Sequence, residues 1–436
     1  MPRLGAGGNH GADMAVSAGR ANDSARSGSR IAYLESIRGL AAVQVLLLHV
    51  LAAFAPSLVF ALPSAAPVAG VIHLSPLYFL CDGYSAVYIF FVLSGYVLTR
   101  SFERGESHLL AQVLGRIVRL GLPALAAVSV AAAIILMLGK PNVAAGELGG
   151  SAWFAHPRNT EVSLASVIKD GTLNAVFLGY RGLPGVAFLS PWQESFEQSF
   201  VAPLWTLSIE FYGSMIVLAL CWFARRSRML WRLFLILGAL FTARSAYICF
   251  FAGHLLATFA WAERPAPASR LLPSFSVAAG IFVCVIAEVW QPEWLKAICA
   301  SPTWLLFPGQ FAPMQQKAFG AILVLIGLLH LEGARNLLSM PWLVARSKLS
   351  FPLYLVHWPI LFGPVAALFL QFAGIVGVEP ARLGAIAAGI GLSLAASVFF
   401  LPIDRLALDL SRTLRGRRST PAEAPQVSAM GAMAAE

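Results

Sequence analysis

Charge is scarce in this sequence. Asp, Glu, Lys and Arg make up 12% of its 436 residues, whereas 58% are hydrophobic and the mean hydropathy is +0.73. A water-soluble domain of this length needs far more polar surface, so that class is excluded. Cysteine is sparse as well. Cys81, Cys221, Cys249, Cys284 and Cys299 form an odd set without a CxxC pair, which argues against a disulfide framework and against a zinc site. Lying in or near apolar runs, they read as small buried hydrophobes. HExxH, a helical His pair and a Gly-rich Walker loop are also missing, which disfavours a metal centre and P-loop chemistry.

The net charge of +10 does not point to nucleic acid. The basic residues sit in short clusters between apolar runs, and no arginine-rich arm or aromatic-basic ribonucleoprotein pattern occurs.

What the sequence has instead is apolar runs near the length of a bilayer-spanning helix. They predict an all-α polytopic membrane protein with about ten transmembrane helices. The spans fall near 38–58, 84–100, 120–138, 203–223, 229–247, 246–262, 271–290, 317–334, 350–372 and 383–403. Of the 31 Lys and Arg, only Lys140, Arg158, Lys169, Arg181, Arg244, Lys296, Lys317 and Arg382 fall on the outer side if the N-terminus is inside. That asymmetry predicts that both termini are cytoplasmic. Residues 1–30, rich in Gly, Ala, Ser and Arg, read as a disordered cytoplasmic tail. Residues 412–436, basic and then Ala- and Pro-rich, read as a second tail, leaving a membrane domain over 31–411. The longest connection, about 139–202, falls outside, and its moderately apolar piece 163–180 is expected to be re-entrant or to lie along the surface. Its Trp153, Tyr180 and Trp192 suit an interfacial position.

The stretch RGLAAVQVLLLH carries Arg38 and His49 into the first span. Eleven helical residues advance about 16 Å and turn about three times, so the two side chains face nearly the same way. Glu35 lies three residues earlier on the same stripe. Arg38 alone is compatible with a boundary marker and His49 with a helix–helix hydrogen bond. An ionisable group inside a span is nevertheless a functional candidate by default.

The segment YLESIRGLAAVQVLLLH resembles the opening signature of the acyltransferase-3 family of integral membrane O-acyltransferases, in which a basic residue, ten residues and a His mark the first helix. Three further stretches match that family in order: IFFVLSGYVL at 89–98, PLWTLSIEFYG at 203–213 and SFPLYLVHWPI at 350–360. Two positions depart from its pattern. Glu35 stands where Asp is more usual, and Tyr88 where an acidic residue often precedes the FFVLSG run.

The resemblance implies transfer of an acyl group, most often acetyl, from acyl-CoA to a hydroxyl of a surface or lipid-linked carbohydrate, in the inner (plasma) membrane. The donor is then a substrate, and no cofactor is permanently bound. His49 is the expected catalytic base or transient acyl carrier, since imidazole titrates near neutrality. Glu210 is the second catalytic candidate, to orient the imidazole, bind the acceptor hydroxyl or share a proton; its bland alternative is a carboxylate bonded to a neighbouring helix. Arg116 and Arg119, one turn apart, are expected to meet the donor's phosphates, though positive-inside topology alone also accounts for them. Arg38 and Glu35 are supporting residues. So are Trp205 and Tyr212, as acceptor-pocket or interfacial aromatics, and His357, closing the site or packing near a proline kink. His254 matches no motif and reads as structural. A transporter or flippase of a glycan or lipid-linked precursor is the alternative reading, because buried ionisable groups suit that as well. A glycerolipid acyltransferase of the HxxxxD kind fails, since no His has an Asp five residues on.

Overall fold

The apolar runs become long helices in the computed structural model, which describes residues 10–60, 72, 75–103, 108–156, 161–261, 269–287, 289–300 and 310–416. In order they are α1 (His10–Phe54), α2 (Gly83–Glu103), α3 (Leu109–Leu138), α4 (Pro141–Gly149), α5 (Ala152–Ala155), α6 (Trp205–Arg226) and α7 (Arg228–Thr242). There follow α8 (Ile248–Thr258), α9 (Leu271–Ile286), α10 (Ala312–Leu328), α11 (Ser350–Ile360), α12 (Ala366–Val376) and α13 (Val378–Leu414). Short helical turns lie between several of them. Of the expected tails, residues 1–9 and 417–436 lie outside the described residues; the helical backbone runs from His10 and ends at Leu414.

The chain is a multi-pass membrane protein, and its described residues do not reach the expected count of about ten spans. Among the described residues six helical stretches are long and apolar enough to cross a membrane: Ala32–Phe54, Gly83–Glu103, Leu109–Leu138, Ala202–Arg226, Ser350–Val376 and Val378–Leu414. Ala312–Leu328 with Glu332–Leu338 makes a seventh only as a span bent by 93°. The spans expected at 229–247, 246–262 and 271–290 are α7, α8 and α9, of 15, 11 and 16 residues. At 1.5 Å per residue they rise about 16–24 Å, short of a hydrocarbon core of about 30 Å.

Helix α1 lies among α2, α11 and α13. Its Leu46, Val50 and Phe54 bury against Leu353, Leu361 and Phe369 from the span that contains α11 and α12. That span carries Pro359 and Pro364 and passes through a π-helical turn at Leu361–Val365. Proline removes a backbone donor and loosens the ladder, and π-turns gather at functional positions.

The glycine of the IFFVLSGYVL stretch, Gly95, has a packing reason. A Cβ on Gly253 of α8 would stand 2.1 Å from the Val92 carbonyl oxygen, and one on Gly95 of α2 would stand 2.6 Å from the Phe250 carbonyl oxygen. The two helices cross backbone to backbone. Gly253→Ala is therefore expected to destabilise the fold by about 1–3 kcal/mol through overpacking. A lower melting temperature in detergent checks it, and an unchanged one contradicts this packing.

The connection 139–202 folds onto the bundle. Its 163–180 piece is a helix, Leu164–Ile168, continuing into π-helical Lys169–Leu178 against α3 and α6. Buried Asp170 accepts hydrogen bonds from the Tyr180 hydroxyl at 2.6 Å and the Phe200 N–H at 3.0 Å. Burial nonetheless raises its carboxyl above the ordinary carboxylate value, against the pull of those bonds.

Candidate active site

One stripe of α1 holds Arg38, Ala42, Val45 and His49, at helical spacings of four, three and four. Arg38 meets Glu35 at 3.7 Å and lies over the Phe90 ring at 4.9 Å. Glu35 and Arg38 are thus neighbours on the stripe.

At the other end of the stripe, His49 Nδ1 lies 2.9 Å from His357 Nε2. His357 Nδ1 lies 3.0 Å from the Leu353 carbonyl oxygen. A carbonyl only accepts, so His357 carries hydrogen on Nδ1. With His357 neutral, its Nε2 is then an acceptor and His49 donates from Nδ1. The lone pair of His49 is left on Nε2. His357 is 1% exposed and held by the helix it belongs to, whereas His49 is only half-buried. The arrangement is one imidazole oriented by a second, itself fixed by the backbone, a geometry that suits general-base chemistry. The Trp358 ring stands edge-on to His49 at 5.2 Å, and the Trp153 ring lies nearly parallel to it at 5.7 Å.

A narrow cavity of ≈ 60 Å³ climbs the same stripe from Arg38 past Ala42 to Val45, one turn short of His49. Arg116, Arg119 and Glu210 line it, with Phe351 and Tyr354. Arg116 Nη2 donates to Glu210 Oε1 at 2.8 Å. The other carboxylate oxygen of Glu210, which is 6% exposed, has no hydrogen-bond partner among the described residues. Arg119 Nη1 donates to Asp404 Oδ1 at 2.6 Å, and its guanidinium lies over the Phe351 ring. Each guanidinium has five N–H donors, so one carboxylate apiece leaves several for an anion. Three guanidinium groups and one carboxylate oxygen thus converge on one space.

The site residues read from the sequence separate into two groups. His49 and His357 meet at one level; Arg38, Arg116, Arg119 and Glu210 line the cavity below. Glu210 takes its charge partner from Arg116. Trp205 and Tyr212 are not among the residues lining this cavity. Trp205 packs in the core with Tyr180 and Ile209, and Tyr212 stands against Phe211. The face of α6 turned to the cavity is Thr206, Leu207 and Glu210. Thr206 and Tyr354 share a 2.7 Å hydrogen bond, and the Tyr354 hydroxyl lies 2.6 Å from the Pro203 carbonyl oxygen, tying α6 to α11. His254 is engaged on both nitrogens, by the Trp231 indole N–H at 3.0 Å and the Thr99 hydroxyl at 2.9 Å, which fits a structural role.

Two residues here escaped the sequence reading. Asp404 lies one position beyond the expected end of the last span, whereas α13 continues to Leu414. Trp153 read as an interfacial aromatic of the long connection. Neither has a local signal, because each acquires its role from a partner distant in sequence.

A family model for an acyltransferase domain, Acyl_transf_3, matches residues 31–401. No curated protein and no solved structure matches the chain. The match spans every element that builds the cavity and the imidazole pair, so the chain belongs to the Acyl_transf_3 family and is a membrane acyltransferase.

Proposed function

We propose that the protein transfers an acyl group, typically acetyl, from acyl-CoA to a hydroxyl of a surface or lipid-linked carbohydrate. We place it in the inner (plasma) membrane with both termini cytoplasmic, so that the Arg38 end of the stripe opens to the cytoplasmic donor. The observation that carries this reading is the convergence of Arg38, Arg116 and Arg119 on one cavity that ends a turn below the His49–His357 pair. Guanidinium groups suit the oxygens of a pyrophosphate and a ribose phosphate. The narrow apolar wall of Ala42 and Val45 then leads the thioester towards His49.

In the direct route, His49 Nε2 removes the acceptor's hydroxyl proton as the oxygen attacks the thioester carbonyl. The C–S bond breaks, the ester C–O bond forms, and the imidazolium returns its proton to the departing thiolate. His357 Nε2 accepts from His49 Nδ1–H throughout and stabilises the charge on the ring. In the second route, His49 Nε2 attacks the thioester carbonyl, the C–S bond breaks and coenzyme A departs as a thiolate; the acceptor hydroxyl oxygen then attacks the acyl carbon, the C–N bond breaks, and the hydroxyl proton is left to protonate the thiolate. Glu210 fixes Arg116 and keeps one oxygen available to a proton or hydroxyl in the cavity.

Membranes carrying the protein, given radiolabelled acetyl-CoA, should release coenzyme A and place label in a carbohydrate fraction. Mass spectrometry of surface glycans with and without the protein identifies the acceptor. Transport without thioester turnover would remove this reading. Replacing Arg116 and Arg119 together by Ala should raise KM for acetyl-CoA by about 10–100-fold, the range for losing charge-assisted hydrogen bonds, with a smaller change in kcat. An unchanged KM would place the donor phosphates elsewhere.

A further inference from the structure

We propose that Trp153 is a positioning residue for the catalytic imidazole, delivered by the connection between α3 and α6. Its indole lies at 11° to the His49 ring with centroids 5.7 Å apart. It also meets Trp358 edge-on at 5.7 Å and Phe362 at 5.6 Å. His49 therefore has His357 on its Nδ1 edge, Trp358 against its side and Trp153 parallel to its plane.

The chain takes unusual trouble to place this one side chain. Ser151 caps α5 by accepting from the Phe154 N–H at 3.2 Å, and its hydroxyl donates to the Ala52 carbonyl oxygen at 2.7 Å. Ala52 follows His49 by three residues, so the tether grips α1 within a turn of the imidazole. Asn142 Nδ2 donates to the Phe154 carbonyl oxygen at 2.8 Å, and Arg382 Nη2 to the Gly149 carbonyl oxygen at 2.9 Å. A Cβ on Gly146 would stand 2.2 Å from the Ala155 nitrogen, so α4 and α5 touch at the backbone. Phe154 wedges against Phe54 at 5.4 Å and Phe362 at 4.9 Å. A solvent-anchoring tryptophan needs none of this.

The parallel ring does two things for the reaction. It holds the plane of His49, so the Nδ1–H stays on His357 and the Nε2 lone pair keeps its direction. It also sets a π-face beside the positive charge that the imidazole acquires when it takes the proton. Both act on the chemical step and neither touches the donor cavity.

This inference rests on the acyltransferase mechanism above, and the test separates the two. Radiolabel transfer from acetyl-CoA is followed in membranes carrying full-length protein, as wild type, W153A, W153F, S151A and H49A, with each variant's amount and melting temperature measured. W153A should lower kcat by about 10-fold with KM for acetyl-CoA within about 2-fold, and W153F should restore most of it. S151A, which keeps the indole but cuts its tether, should fall between them with the same KM. A W153A enzyme with wild-type kcat, or a W153F enzyme no better than W153A, overturns the role given to Trp153. Should H49A transfer label at the wild-type rate, the base itself is misassigned and the positioning role falls with it.

Discussion

His49→Ala is expected to remove acyl transfer, by about 10²–10⁴-fold, which is what a positioned general acid–base group contributes. Insertion and folding should survive. His49 is half-buried, and the change strips one hydrogen bond from His357, leaving a buried imidazole nitrogen unsatisfied at a cost of about 1–3 kcal/mol. Label transfer from acetyl-CoA, normalised to protein in the membrane, checks the result, and near-normal transfer by H49A would remove His49 from the mechanism. His357→Ala should be milder. It spares the base but removes the acceptor that selects its tautomer, so the lone pair is no longer confined to Nε2. His357→Gln restores an acceptor oxygen and should recover part of the loss. Quenching during turnover distinguishes the two chemical routes: acyl mass on the peptide carrying His49 identifies the imidazole as carrier.

The half of the site that depends on local spacing was legible before any coordinates. Arg38 and His49 are eleven apart in one helix, and helical geometry alone puts them on a common stripe. The one-turn separation of Arg116 and Arg119 likewise fixes their common face. The pairing of His49 with His357 spans 308 residues, and that of Arg119 with Asp404 spans 285. No periodicity within a helix encodes either. Glu210 illustrates the limit: an acidic residue in an apolar run demands a partner, but the run does not say whether that partner is imidazole or guanidinium. The span count meets a related limit. Hydropathy reports that α7, α8 and α9 are apolar, whereas their lengths depend on where turns near Arg244 and Arg270 interrupt the helices.

The buried charge pair between Asp82 and Lys317 was equally hidden, because 235 residues separate the two and neither local stretch names the other. Lys317 Nζ lies 2.7 Å from Asp82 Oδ1, and the two side chains are 2% and 1% exposed. Asp82 also accepts from the Ser85 N–H at 3.3 Å, and the ammonium lies 5.6 Å from the Tyr78 ring. Lys317→Met should therefore leave an uncompensated carboxylate in the interior and cost about 3–5 kcal/mol. Asp82→Asn combined with Lys317→Met removes both charges and should recover much of that loss, since the desolvation of two ions is avoided as well. Melting temperatures of the wild type, both single variants and the double variant in one detergent test this. Equal stability of K317M and wild type would mean the pair is solvated in the native protein. The effect should also reach the chemistry. Gln44 of α1, five residues before His49, donates to the backbone oxygens of Asp82 at 3.1 Å and of Phe79. The 76–82 segment is thus held by Lys317 on one side and α1 on the other. Releasing the lysine loosens a support of the stripe that carries the base, so K317M should lose kcat even at temperatures where it remains folded, with the double variant regaining it in parallel with its stability.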